Sequence, residues 1–228
     1  LVSWAWITQL FEGSPIATAE RGSAILASAA AHLDQLERHP SLYSSANNHR
    51  LGELVGLAVG GLAFPQLPRS TQRVQAGLDG LSSELARQVH PDGFLKEGSL
   101  AYHSFVVDIL IPVVVCLRRA GRAVPDGIAR PLSAMAEVIG VVSSDGGTLP
   151  AIGDDDSAYA IDLTSDHHPV SRLRSRLRTV EGLLEGERSR RPAGTDEQTL
   201  WLCGLPDAPE SDVEALPASG VFPTGGLV

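Results

Sequence analysis

Residues 99–119 read SLAYHSFVVDILIPVVVCLRR, and this stretch decides the fold class. Ser99 is a good N-terminal capping residue, because its hydroxyl can accept a hydrogen bond from an amide of the first helical turn. From Val106 onward the stretch is apolar on nearly every side, which is typical of a helix enclosed by other helices. Its continuous apolar part, about 13 residues, is shorter than the roughly 20 that span a bilayer. We therefore expect a buried helix and no membrane span.

Five further segments repeat apolar residues at the three- and four-residue spacing of amphipathic helices. They run from Thr18 to Leu36, Leu51 to Leu62, Ser70 to Val89, Ile128 to Val142 and Ser171 to Leu184. Connections rich in Gly, Pro and Asp separate them, and short connections make successive helices antiparallel neighbours. The pattern predicts an all-α protein of stacked helical hairpins, a solenoid or a toroid.

The four arginines of the last segment are predicted to point mostly outward, as a solvated face: Arg172, Arg174, Arg176 and Arg178. After residue 185 the composition becomes charged and then Pro-rich, which is typical of a linker. We therefore place a helical domain at residues 1–185 and a linker leading into a second domain at residues 186–228. The opening LVSWAWITQLF has no basic segment and no cleavage site, so we expect an internal piece of a longer protein.

Composition limits the possible partners. The chain has 228 residues with 18 Lys+Arg against 27 Asp+Glu, a net charge of −9, so a broad nucleic-acid surface is not expected. Two cysteines, Cys116 and Cys203, make neither a disulfide scaffold nor a zinc site. We expect no metal and no cofactor.

Three loop-to-helix junctions collect polar residues that a core does not need. The first is Asn47-Asn48-His49-Arg50, the second runs from Asp92 to His103 and includes Glu97 and Tyr102, and the third is Ile152-Gly153-Asp154-Asp155-Asp156. In a barrel of helical hairpins, helix ends at the same side line the rim of one cavity. We therefore expect these junctions to form one site.

Each junction also has a structural interpretation. Asn47 or Asn48 can simply cap the following helix. Tyr102 and His103 can be hydrogen-bonded polar groups of the core. The aspartate run starting at Asp154 can be a solvated turn, and it is a weak candidate for a hard cation.

In combination, three strings resemble the heparinase II/III-like polysaccharide lyases, which include heparin, heparan and alginate lyases. They are SSANNHRLGELVGLA (44–58), DGFLKEGSLAYH (92–103) and PAIGDDDS (150–157), in this order and spacing. The resemblance implies an incomplete (α/α) toroid that continues, in full-length members, into an antiparallel β-sandwich domain. It also implies β-elimination on a uronic-acid-containing polysaccharide and a bacterial, periplasmic or secreted setting.

The resemblance further implies that Asn48, His49 and Tyr102 are catalytic. The amide and the imidazole would neutralise the uronate carboxylate, and the phenol would protonate the leaving oxygen or, as phenolate, first remove the C5 proton. In the phenolate role a cation such as Arg50 or His103 would have to lower the pKa of Tyr102. Asn47, Arg50, Glu97, His103 and Asp154 are the expected substrate-binding residues. A further catalytic histidine usually comes from the β-sandwich domain.

Two other functions fit the same junctions. Helical toroids also host glycoside hydrolases with two carboxylates, for which Glu97 and Asp154 are the candidates. The chain could also be a non-catalytic, carbohydrate-binding helical domain.

Overall fold

The computed structural model describes residues 1–143, 148–156, 159–166, 168–184, 196–204 and 220–225. Within these residues every regular element is a helix, apart from isolated bridge residues, of which Val89 and Leu95 pair with each other. The helices are α1 (Val2–Leu10), α2 (Ala19–Arg38), α3 (Asn48–Ala63), α4 (Ser70–Gln88), α5 (Leu100–Arg119), α6 (Asp126–Val142), α7 (Pro169–Leu184) and α8 (Glu197–Cys203), with a 3-10 turn at Tyr43–Ser45. The predicted all-α class is confirmed.

The helices pack as neighbouring hairpins. Helix α3 packs most extensively on α4 and also against α2 and α5, and α6 packs against α4, α5 and α7. Helices α3 and α4 approach each other closely at Gly77, where a Cβ atom would lie 2.7 Å from the amide nitrogen of Ala58 and 2.8 Å from the carbonyl oxygen of Leu54. The absent side chain is therefore what lets the two backbones meet.

Helix α5 forms the centre of the core. Ser99 caps it as expected, accepting a hydrogen bond from the amide of Tyr102 at 3.1 Å. The helix is long and apolar enough to cross a membrane, but 78% of its apolar window is buried inside the protein. It packs against α3, α6 and α7, so its hydrophobicity is used in the core of the fold.

The predicted outward face of arginines on α7 is wrong. Arg176 is buried and its Nε lies 3.2 Å from Oδ1 of Asp108, which is fully buried on α5. Among the four arginines only Arg174 is exposed. The arginine pattern gives the wrong prediction because α5, α6 and α8 cover α7 on several sides. An arginine of α7 can therefore point inward and pair with a buried carboxylate.

Two helices were not anticipated from the sequence, α1 and α8. Helix α8 lies within the predicted linker, of which residues 186–195, 205–219 and 226–228 are outside the described part of the chain. Asp196 caps α8 through the amide of Thr199 at 3.0 Å and also accepts a hydrogen bond from Ser175 of α7 at 2.6 Å. Seven residues are too few to show a helical period, so only this tertiary contact reveals the element.

Candidate active site

All three polar junctions lie at the same end of the hairpins, where α3 and α5 begin and α4 and α6 end. Gln88, the last residue of α4, donates from its side-chain Nε2 to the carbonyl oxygen of Asn47 at 3.3 Å. Its backbone carbonyl oxygen accepts a hydrogen bond from the amide of Lys96 at 2.8 Å. The third junction joins them because the amide of Leu100 donates to the carbonyl oxygen of Ile152 at 3.0 Å. Antiparallel packing therefore assembles residues that are more than a hundred positions apart.

The two asparagines of the first junction have different tasks. Asn47 is the cap of α3, since its Oδ1 accepts a hydrogen bond from the amide of His49 at 3.2 Å. Asn48 is buried, and its Nδ2 donates to Oε1 of Glu97 at 2.8 Å. The other carboxylate oxygen of Glu97 is buried and has no hydrogen-bond partner among the described residues. Glu97 thus fixes the orientation of the Asn48 amide, which retains a second N–H.

The next two residues of this junction are less enclosed. His49 is exposed to solvent. Arg50 is partly buried and pairs with Glu53, with 3.1 Å between Nη1 and Oε2. Glu53 also accepts a hydrogen bond from the amide of Ser41 at 2.9 Å. The charge of Arg50 is therefore already balanced by a carboxylate one turn along the same helix.

Tyr102 is held by a carboxylate from the third junction. Its hydroxyl donates to Oδ2 of Asp156 at 2.6 Å. This hydrogen bond, together with partial burial and the negative charges of Asp156, Asp154 and Glu97, raises the pKa of Tyr102 to about 12. The phenol therefore keeps its proton at neutral pH, and the pKa moves in the opposite direction to the one that a phenolate base requires.

His103 is enclosed in the core. It is fully buried, its Nδ1 accepts a hydrogen bond from the amide of Leu95 at 3.2 Å, and its Nε2 lies 2.9 Å from the carbonyl oxygen of Met135. Its ring stacks on Phe94 with 5.6 Å between centroids. Burial lowers the pKa of His103 to about 4, so the ring is neutral at pH 7. This geometry favours the interpretation of His103 as a hydrogen-bonded polar group of the core. The neutral ring places no positive charge beside Tyr102.

The third junction is fixed to the start of α5. The hydroxyl of Ser99 donates to the carbonyl oxygen of Asp154 at 2.5 Å, and Gly153 has a φ of 75°. A Cβ atom on Gly153 would lie 2.6 Å from the Cα atom of Ser99, so only glycine fits both the backbone angle and the contact. Asp154 therefore acts through its backbone, while the Asp156 carboxylate reaches Tyr102. The run of three aspartates indicated the site but not which carboxylate faces it.

Tyr102 borders a cavity of about 300 Å³ whose other walls come from α7 and the segment before it. The aromatic and charged residues lining it are Tyr102, Phe105, Asp155, Asp156, Tyr159, Arg172 and Arg176. The Arg172 guanidinium lies over the Tyr159 ring, 4.5 Å from its centroid, and pairs with Asp162 at 2.5 Å. Asn48 and His49 do not line this cavity. Glu97 binds Asn48 and acts on Tyr102 through its negative charge. Nothing in the sequence indicates that Tyr159 faces a cavity, and the arginine pattern of α7 predicts Arg176 outward rather than at this wall.

Metal-ligating geometry is not found in the described ranges, where no group of three or more His, Cys, Asp or Glu side chains could hold an ion. Cys116 and Cys203 are not joined in a disulfide, and burial raises the pKa of each thiol to about 11. A thiol with this pKa is a weak nucleophile at neutral pH.

The comparisons with known proteins agree with this architecture. Residues 3–165 match the family described as Heparinase II/III N-terminus. The chain belongs to this family. Among curated relatives, a heparin-sulfate lyase of Pedobacter heparinus is 28% identical over 147 residues, which cover 64% of this chain and 22% of the relative. A heparin-sulfate lyase of Bacteroides thetaiotaomicron is 28% identical over 135 residues, which cover 58% of this chain and 19% of the relative.

The structural comparison defines the fold of this family member. The crystal structure of heparinase III matches with a TM-score of 0.58 and 20% identity, covering 83% of this chain and 31% of that one. This likeness confirms the predicted incomplete (α/α) toroid. The chain spans about a fifth of the length of the curated relatives that it matches.

Proposed function

We propose that this chain is the helical part of a polysaccharide lyase that cleaves a uronic-acid-containing polysaccharide by β-elimination. The observation that carries the proposal is the placement of Asn48 and Tyr102 at one end of the toroid, each held by a carboxylate, at 2.8 Å and 2.6 Å. Membership of the heparinase II/III N-terminus family and two relatives named heparin-sulfate lyase support it.

The wider organisation is part of the same proposal. Residues 1–185 form the lyase toroid, and residues 186–228 lead toward a β-sandwich domain that closes the other side of the cleft. The substrate is a polymer too large to enter a cell intact, and both named relatives are bacterial. We therefore assign the enzyme to the periplasm or the exterior.

The proposed steps require no metal. A base removes the C5 proton of the uronate, the electron pair forms the C4–C5 double bond, the C4–O bond breaks, and the leaving oxygen takes a proton. Charge that develops on the carboxylate needs fixed donors, and the free N–H of Asn48 and the imidazole of His49 have the right chemistry. The Glu97 contact keeps the Asn48 amide oriented before substrate arrives, so less reorganisation is needed in the transition state.

Tyr102 is assigned the role of proton donor. A phenol with a pKa of about 12 is ionised in only about one molecule in 10⁵ at pH 7, which disfavours it as the base in the free enzyme. The same phenol can still protonate a leaving sugar alkoxide, which is the stronger base. The acceptor of the C5 proton is then a group outside the described residues, in line with a histidine of the β-sandwich domain.

Binding of a polyanion has to overcome a net charge of −9. The cavity offers Arg172 and Arg176, whose guanidinium groups match carboxylate or sulfate geometry, but each already pairs with a carboxylate, Asp162 and Asp108 respectively. We therefore propose that short-range contacts and the second domain, rather than long-range attraction, retain the substrate.

The test uses the longer protein that carries this chain, incubated separately with heparan sulfate and alginate. The readout is the ultraviolet absorbance of the unsaturated uronate that β-elimination produces. Tyr102→Phe should lower kcat by about 10²–10⁴-fold, the usual contribution of a positioned acid. Tyr43→Phe, which alters a tyrosine exposed on the surface, is the matched control and should leave kcat unchanged.

A second pair of variants tests the amide. Asn48→Ala should lower kcat by about 10²–10³-fold, the typical cost of one lost donor, whereas Asn47→Ala removes only a helix cap and should mainly lower stability. Cleavage that yields saturated products without absorbance, and that Glu97→Gln abolishes, would instead identify a hydrolase. Full activity of both Tyr102→Phe and Asn48→Ala would refute the assignment of roles.

A further inference from the structure

We propose that Asp156 is a positioning residue that holds the Tyr102 hydroxyl proton in place until the leaving oxygen of the cleaved sugar accepts it. This inference rests on the proposed function and deepens it. Nothing in the sequence distinguishes Asp156 from the two aspartates before it, so the assignment comes from the structure. The hydrogen bond of 2.6 Å between the phenol and Oδ2 is its first support.

The backbone around Asp156 is held independently of the phenol. The Ile152 carbonyl oxygen accepts from the first amide of α5 at 3.0 Å, and the Asp154 carbonyl oxygen accepts from the Ser99 hydroxyl at 2.5 Å. Ser99 also caps the turn that carries Tyr102. Donor and acceptor are therefore attached to the same helix start, which fixes their separation before substrate binds.

The charged groups around Tyr102 explain why the contact with Asp156 controls how readily the phenol loses its proton. The carboxylates of Asp156, Asp154 and Glu97 all disfavour the phenolate. The groups that face the phenol or share its cavity are Asp154, Asp155, Asp156, Glu97, Tyr159, Arg172 and Arg176. Both arginines are paired with other carboxylates, and His103 on the next position of α5 is buried and neutral. Of the three carboxylates that raise the Tyr102 pKa, Asp156 is the one that contacts the hydroxyl itself.

The proton balance is simple. The Asp156 carboxylate accepts the hydrogen bond while Tyr102 is a phenol. As the C4–O bond breaks, the Tyr102 O–H bond breaks and a new O–H bond forms on the leaving oxygen. The phenolate that remains beside Asp156 is destabilised by the negative charge, so it rapidly takes a proton from solvent and the site is reset.

The first experiment measures Tyr102 ionisation in this chain without substrate. The chain has three tyrosines, so ¹³Cζ labelling gives three signals that single Tyr→Phe variants assign. At pH 11 Tyr102 should remain mostly protonated. In Asp156→Asn the Tyr102 pKa should fall toward 10, whereas Asp155→Asn, with the same change of charge one residue away, should leave it near the wild-type value.

A measurement at neutral pH guards against alkaline unfolding. The Tyr102 ¹³Cζ resonance should move in Asp156→Ala and Asp156→Asn and not in Asp155→Asn, with circular dichroism confirming that all variants fold. Equal Tyr102 signals and equal ionisation in the Asp155 and Asp156 variants would overturn the inference.

The second experiment follows lyase activity of the longer protein against pH. At pH 11 a phenol with a pKa of 12 is about nine-tenths protonated, whereas a phenol with a pKa of 10 is about one-tenth protonated. Between pH 8 and pH 11 the Asp156→Asn variant should therefore lose about tenfold more activity than the wild type. Asp156→Glu should restore part of the wild-type profile. An unchanged alkaline limb refutes the inference, whereas a wild-type protein without lyase activity refutes the proposed function, and the two failures are thus distinct.

Discussion

The buried ion pair between α5 and α7 gives the sharpest test of how the cavity wall is held. Asp108 is fully buried, and it accepts hydrogen bonds from the amides of Ala160 at 2.6 Å and Ile161 at 3.3 Å besides pairing with Arg176 at 3.2 Å. Arg176 also donates to the Ser104 hydroxyl. One carboxylate thus fixes both α7 and the segment that carries the exposed ring of Tyr159.

Asp108→Ala leaves the Arg176 guanidinium buried without its counter-charge. Breaking a buried pair in this way costs about 3–5 kcal/mol of unfolding free energy. The double variant Asp108→Ala with Arg176→Met removes the orphaned charge, while the amides of Ala160 and Ile161 lack their carboxylate partner in both variants. Because only the single variant keeps an unpaired buried charge, the double variant should be more stable than Asp108→Ala alone.

Urea denaturation followed by circular dichroism and tryptophan fluorescence measures these free energies. Arg130→Ala is the matched control, since it breaks the exposed pair with Asp126 on α6 and should cost no more than about 1 kcal/mol. A loss below about 1 kcal/mol for Asp108→Ala, or a double variant that is no more stable than Asp108→Ala alone, would refute the assignment of a buried, coupled pair.

Three further changes follow from close packing and burial. Gly77→Ala places a Cβ 2.7 Å from backbone of α3 and should lower the unfolding free energy by about 1–3 kcal/mol, whereas Gly52→Ala, which meets nothing within 4 Å, should raise it by about 0.5–1 kcal/mol in the same urea assay. Gly153→Ala should displace the third junction, because its φ is 75°, and the Tyr102 pKa should fall toward its ordinary value in the ¹³Cζ titration. Burial lowers the pKa of His103 to about 4, so below pH 6.5 the unfolded chain binds this proton more readily than the folded chain. The unfolding free energy should therefore fall by up to about 3 kcal/mol as the pH drops from about 6.5 to 4. His103→Gln should remove this pH dependence.

The main helices could be predicted because their signals are local. Ser99 as the cap of α5, the apolar run behind it and the end of α4 near Val89 follow from residues close together in the chain. The short helices α1 and α8 were missed, since seven to nine residues show too little periodicity. The buried Arg176 was missed because its partner is 68 residues away on another helix.

The sequence by itself determined the all-α class, the hairpin succession and the three polar junctions, because each depends on spacing and capping chemistry within a few residues. Tertiary structure alone decided that Asn47 caps while Asn48 meets Glu97, that Asp156 rather than Asp154 reaches Tyr102, and that the pKa of this phenol is raised. The physical reason is that protonation and side-chain orientation depend on burial and on atoms some 50 residues away, and only packing brings these to within hydrogen-bond distance.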